Sequence, residues 1–169
     1  MDTLSAILSR RSIRKFTKET VSDQIITELL EVAMSAPSAG NEQPWHFIVI
    51  RDRQILDAIP KYHPYSQSLT ESSVAIMVCG DPQLEQYEGC MVQDLSAATE
   101  NILIAVQAKG LGAVWLGLHP VKERIDGVRK LLNIPRDVIP LCVIPIGYPA
   151  EQKPPANRYD QSRIHHDKW

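Results

Sequence analysis

Apolar residues recur at helical spacing in some stretches of this chain and run together or alternate in others. Leu4, Ile7 and Leu8 share one side of residues 2–9, which predicts a short helix handing over to an extended, alternating RRSIRKF segment. Ser22 and Asp23 open a second helix whose Ile25, Ile26, Leu29, Leu30, Val32 and Ala33 cover a broad arc until Pro37 stops it. Residues 90–110 form the longest helical pattern, and VKERIDGVRKLL supplies a last amphipathic helix through Val121, Ile125, Val128 and Leu132. HFIVI (46–50) and SVAIMVCG (73–80) are β-branched runs bounded by turn residues and predict strands. VIPLCVIPIG (138–147) predicts an edge or bulged strand because Pro140 and Pro145 interrupt it, and AVWLGL (113–118) is strand-like. Residues 148–169 carry proline and charge with little periodicity, so they read as a tail wrapping over a surface. Without strict βαβ alternation, the fold class is α+β: a mixed, largely antiparallel sheet flanked by helices, in one domain spanning 1–169.

The long helix carries its own message. Met91, Val92, Leu95, Ala98, Ile102, Leu103, Ala105 and Val106 fill one arc at 100° per residue, while Ala97, Ile104 and Ala108 fill a second. Only a narrow sector through Gln93, Ser96, Glu100 and Gln107 is continuously polar. A helix apolar over most of its circumference needs cover on more than one side. A two-fold partner helix supplies that cover, so a homodimer is expected, with a central helix inside one subunit as the competing arrangement. Asp94 and Asn101, between the two arcs, are expected to be buried or interfacial and hydrogen-bonded.

Composition narrows the function classes. With 18 Lys plus Arg against 20 Asp plus Glu, the net charge is −2, so no overall field attracts nucleic acid or anionic lipid and any basic site is local. Cys79, Cys90 and Cys142 are widely spaced and form no CxxC pair, which is neither a disulfide framework nor a zinc motif and fits a cytoplasmic location. No apolar run approaches the length of a membrane span, and the amino terminus lacks a cleavage-type pattern. His165, His166 and Asp167 sit in a polar tail and read as solvated, with no metal expected.

Candidate chemistry sits in a few segments. In an extended RRSIRKF, Arg10, Ser12 and Arg14 share a face, offering two guanidiniums and a hydroxyl to a phosphate monoester. APSAGNEQPW (36–45) packs prolines, glycine and short polar residues between a helix end and a strand. Such a loop presents Ser38, Asn41 and main-chain amides to a flat heterocycle. GLGAVWLG (110–117) fails as a dinucleotide fingerprint, because the third glycine would fall at Trp115 and the segment follows a helix. No P-loop or GxSxG occurs, and Cys142 has no motif pairing it with a histidine. Tyr62, His63 and Tyr65 read first as a surface loop and only second as a substrate wall.

Taken in order, RRSIRKF, APSAGNEQPWHFIVI, DLSAATENILIAVQAKGLGAVWLG, and IGYP followed by Arg158 resemble the flavin-dependent nitroreductase family in its short-chain form. The resemblance spans essentially the whole chain. It implies FMN bound without covalent linkage, NADH or NADPH as reductant, and an intertwined homodimer with flavins in clefts between subunits. It also implies a small-molecule acceptor and ping-pong turnover. By motif match, Arg10, Ser12 and Arg14 would hold the phosphate, with Arg11, Lys153 and Arg158 assisting. Pro37, Ser38, Asn41 and Gln43 would line the isoalloxazine and ribityl, and the backbone of Trp115, Leu116 and Gly117 would lie near the hydride-accepting nitrogen. No catalytic side chain is required, since the flavin carries the chemistry. A non-turnover flavin protein for storage or redox sensing is the alternative.

Overall fold

Val74–Gly80 (β2) is buried along its whole length because it lies in the middle of a sheet with helices on both faces. The computed structural model describes all 169 residues. Its sheet runs in the order β1 (Trp45–Ile50), β2, β5 (Ile139–Gly147), then β3 (Gly112–Ala113), with β4 (Leu116–Gly117) on the same flank of β5 as β3. Every pairing of named strands is antiparallel. Alternation along β2 sends Val74, Ile76 and Val78 to one core and Ala75, Met77 and Cys79 to the other. The first core is closed by α2 (Asp23–Met34) and α4 (Met91–Ala108). The second lies under α3 (Arg53–Ala58) and α5 (Lys122–Leu132), and α1 (Thr3–Ser9) packs on α4.

Local chemistry sets the helix ends. Asp2, Ser22 and Asp52 each accept from a backbone N–H of the first turn, at α1, α2 and α3 respectively. Past α4, Gly110 takes φ 73° while Leu111 N–H returns to the Val106 carbonyl, the turn for which glycine is suited. Helix α3 has no counterpart in the sequence reading, since six residues are too few to show a period.

The prolines of β5 accompany a bulge, one of the two expected outcomes, and not an edge. The strand is interior and not an edge, although the predicted bulge is present: the register with β2 shifts between Val78 and Cys79, leaving Leu141 unpaired there. On the other flank β3 and β4 keep one common register, which sets Pro145 opposite Val114. Ala113 turns its carbonyl outward to Ile13 N–H (2.9 Å), so Val114 is the residue aimed at β5, and Pro145 has no N–H to give it. The ladder therefore breaks at Val114–Trp115. That break opens the wall of the cleft described below.

Helix α4 is central within the chain. Asp94 is buried and Asn101 donates to the Val32 carbonyl (3.1 Å), as its position between the apolar arcs implied. Val92 and Ala108 stay exposed. Neighbouring helices expose more apolar surface: Leu4 (70%), Ile7 and Leu8 (73%) on α1, and Val32 and Met34 on α2. The tail follows the basic segment only as far as Pro154, whose carbonyl accepts from Arg11 Nε (2.9 Å). Residues 155–169 are all exposed, and their hydrogen bonds stay within the tail. No helix is long and apolar enough to cross a membrane.

Candidate active site

A cleft of about 800 Å³ opens where the β3–β4 ladder breaks. Trp115, Leu116 and Gly117 form one wall, Arg14 and Lys15 enter from the extended segment after α1, and Arg124 enters from the first turn of α5. The opposite wall is the loop after α3, with His63, Tyr65, Gln67, Ser68, Thr70 and Glu71. Tyr65 and His63 thus belong to a cleft and not to a plain surface loop, while the Tyr62 ring packs on Gly127 of α5. Arg14, Lys15 and Arg124 face a single carboxylate, Glu71, so the cleft favours an anion. Lys15, Gln67, Ser68, Thr70, Glu71 and Arg124 escaped the sequence reading. Their assembly depends on contacts between distant segments; Lys15 lies inside RRSIRKF but off the face assigned to Arg10, Ser12 and Arg14, and the others carry no local motif.

Arg124 and His63 organise the floor. Arg124 Nη1 donates to the Gly117 carbonyl at 2.9 Å, and its guanidinium lies 5.8 Å from the Tyr65 ring centroid. His63 is 2% exposed, and its Nδ1 accepts from Tyr65 N–H at 3.2 Å, so Nε2 carries the ring proton. Burial, and secondarily the Arg124 cation, hold the His63 pKa below its ordinary value and keep the ring neutral.

The basic segment is engaged by several partners. Arg10 Nε lies 3.3 Å from Glu100, whereas Arg14 opens to the large cleft, so within one chain these guanidiniums face different groups. Arg11 donates to the carbonyls of Leu8 (3.0 Å) and Pro154, leaving a buried Nη2 without an acceptor. Ser12 bridges β3 at Ala113. Glu151 Oε1 accepts from the backbone N–H of Arg14 (2.6 Å) and of Lys15 (3.3 Å), and Lys153 Nζ is 3.6 Å away. The Arg14 N–H above all holds the Glu151 carboxyl below its ordinary pKa, with Lys153 adding to it. Arg11 and Lys153 both line a smaller hollow of about 250 Å³ beside Gln107 and Gly110. Arg158 is exposed, and its side chain makes no hydrogen bond or ion pair.

The loop ahead of β1 is tightly coiled. Gly40, Asn41 and Gln43 all have positive φ, at 52°, 59° and 49°. Ser38 Oγ accepts from Gln43 N–H (3.0 Å), and Gln43 Nε2 donates to Asn41 Oδ1 (3.2 Å). Pro37 and Ser38 line a hollow of about 320 Å³ with Gln93, Asp94 and Ala97 of α4, and share no lining residue with the large cleft. The two groups of predicted site residues are therefore not brought together within one chain. The buried thiols offer no alternative chemistry, since burial pushes Cys79 and Cys142 up to about 12.

A model of the Nitroreductase family matches residues 7–75 and 81–148. A protein of Methanothermobacter thermautotrophicus, provisionally named NADH dehydrogenase/NAD(P)H nitroreductase, is 49% identical over 169 residues, covering 100% of this chain and 88% of that protein. A crystal structure bearing the same provisional name, from Parabacteroides distasonis, superposes with a TM-score of 0.95 at 41% identity and covers 99% and 98% of the two chains. Another, a provisional nitroreductase from Desulfovibrio desulfuricans in complex with FMN, gives a TM-score of 0.86 at 33% identity and covers 100% and 98%.

Proposed function

The chain belongs to the nitroreductase family, and from that premise we propose an FMN-dependent oxidoreductase that moves reducing equivalents from NADH or NADPH to a small organic acceptor. The observation that carries this reading is the cationic cleft at the β3–β4 break, where Arg14, Lys15 and Arg124 surround the backbone of Trp115–Gly117. The FMN complex of the Desulfovibrio desulfuricans relative supports it.

The residues present fit FMN. Arg11 Nη2 is a buried donor lacking an acceptor, and the Arg158 side chain is unpaired. Glu151 already occupies the amides of Arg14 and Lys15, so phosphate would be held by side chains: Arg14 from the cleft, Ser12, and Arg10 on exchanging Glu100 for phosphate, with Arg11, Lys153 and Arg158 assisting. Pro37, Ser38, Asn41 and Gln43 line the ring and ribityl. Pro37 and Ser38 line a separate hollow of the same chain and Asn41 and Gln43 belong to the same loop, so this reading takes all four from a second subunit. The apolar faces of α1, α2 and α4 are the surface through which the two chains pair.

When bound, FMN supplies hydride chemistry. The protein's part is to bind and to orient. Arg14, Lys15 and Arg124 would offset negative charge on a reduced ring, and the Arg124–Gly117 bond fixes the peptide in the cleft wall. Nicotinamide and acceptor would use the same cleft in turn, which would make the kinetics ping-pong.

Rapid mixing tests the reading. Bound flavin is expected to bleach under NADH or NADPH without acceptor and to recover when an oxidant is added. Steady-state double-reciprocal plots are expected to be parallel, and intersecting lines with a ternary complex would refute the shared face. Flavin that stays oxidised under both nicotinamides identifies a storage or sensing protein instead.

A further inference from the structure

Two carboxyl groups meet under the loop ahead of β1. Asp94, 5% exposed on α4, accepts through Oδ1 from Ala39 N–H at 3.1 Å. Glu42, 7% exposed, accepts through Oε2 from the backbone N–H of Gln86 (2.6 Å) and Tyr87 (3.1 Å). Each acid thus has one oxygen satisfied by main chain. The other oxygens, Asp94 Oδ2 and Glu42 Oε1, are buried and have no partner, and Asp94 is tied to Ala39, three residues before Glu42 in the same loop, where the Glu42 side chain acts on it.

Two ionised carboxylates facing each other out of water repel, and each leaves one oxygen without a donor. One proton between them removes both faults, since a protonated carboxyl donates to the other's lone pair. We propose that Asp94 and Glu42 share one proton, and that this acid pair is the clamp positioning the Pro37–Gln43 loop for flavin. The clamp ties three segments to one point: α4 through Asp94, the loop through Ala39 N–H and Glu42, and residues 86–87 ahead of α4. It acts on a loop with three positive-φ residues, a conformation that the local chain does not hold unaided.

The surroundings favour the protonated pair. Burial above all pushes Asp94 above its ordinary pKa; the Ala39 N–H bond pulls the other way, and Glu42 and then Glu85 add to the rise. The charged groups acting on it are both acidic, and Glu85 is itself held by the N–H groups of Gly89 and Met91. Tyr87, whose ring packs on Gly40, and Cys90, which lines the same hollow as Asp94, are further titratable groups beside the pair. Because the folded state retains a proton that the unfolded chain releases, the clamp's contribution is present at low pH. It is lost as pH rises from the ordinary aspartate value through the raised one.

The pair acts through the loop as positioning residues, so the proposal rests on the reading that Pro37, Ser38 and Asn41 hold flavin. Its test separates the two. Carboxyl ¹³C NMR of the full-length, flavin-free protein follows Asp94 directly, and FMN titrations across a pH series follow the consequence. Asp94 is expected to titrate above ordinary aspartates. Wild-type FMN affinity is expected to fall through that same range, beyond any change the flavin's own phosphate causes in both proteins. Asp94→Asn keeps an acceptor for Ala39 N–H and gives Glu42 a permanent donor. It should retain affinity within about twofold and lose the extra pH dependence, while Asp94→Ala binds about tenfold more weakly. An ordinary Asp94 titration, or identical pH profiles for wild type and Asp94→Asn, overturns the clamp. Failure of the wild type to bind FMN at any pH overturns the flavin reading and leaves the NMR titration to judge the proton.

Discussion

Arg124, in the first turn of α5, donates to the Gly117 carbonyl at 2.9 Å, so a helix on the second core fixes a peptide in the cleft wall. The same guanidinium is one of three cations around the space assigned to the flavin. Removing it by Arg124→Ala takes away positive charge that favours the reduced ring. We expect a two-electron midpoint potential lower by about 30 mV, a loss of roughly 1.4 kcal/mol, with FMN stoichiometry intact. Spectroelectrochemical titration of the variant measures this, and an unmoved potential would remove Arg124 from the flavin's field.

Arg14 offers the cleft a guanidinium with no carboxylate partner of its own. Arg14→Ala is expected to weaken FMN binding by about 1.5–3 kcal/mol, the range for hydrogen bonds to charged groups. Equilibrium titration of the flavin-free protein checks it. Heat-released flavin from the wild type should be FMN, and FAD in the supernatant would contradict the phosphate assignment.

Gly112 is needed for close approach. A Cβ there would meet Ile13 Cγ2 at 2.7 Å and Cβ at 2.8 Å, and Ile13 is the buried anchor between Arg11 and Arg14. Gly112→Ala should push the basic segment off β3, costing about 1–3 kcal/mol of stability and lowering FMN affinity with it. Urea denaturation gives the first figure. Unaltered stability would show that the segment yields freely.

Leu8 on α1 and Met34 on α2 are exposed in the single chain, where charged replacements would cost little, within about 0.5 kcal/mol. At an interface between two copies the same replacements bury a charge. Leu8→Asp with Met34→Asp is therefore expected to dissociate a dimer of 19.0 kDa chains and release flavin. Sedimentation equilibrium reads the outcome, and a wild type that is monomeric while retaining flavin ends the dimer assignment.

What the sequence determined by itself was whatever local spacing encodes. The periods of α2, α4 and α5, the buried run of β2, the stops at Pro37 and Gly110, and the polar placement of Asp94 and Asn101 all follow from side-chain order along one element. The motif order carried the family resemblance for the same reason. Tertiary structure decided where interactions joined distant segments. Pro145 suggested an edge strand, yet its missing donor falls at the break opposite Val114, an arrangement legible only once β3 and β4 share a flank of β5. Lys15 and Arg124 entered the cleft because that break and the packing of α5 brought them to Gly117. Asp94 and Glu42 are separated by β1, α3, β2 and the segments between, and only folding turned two unremarkable acids into a buried pair. A sequence displays one chain's periodicities, but desolvation and charge proximity arise only when those segments meet in space.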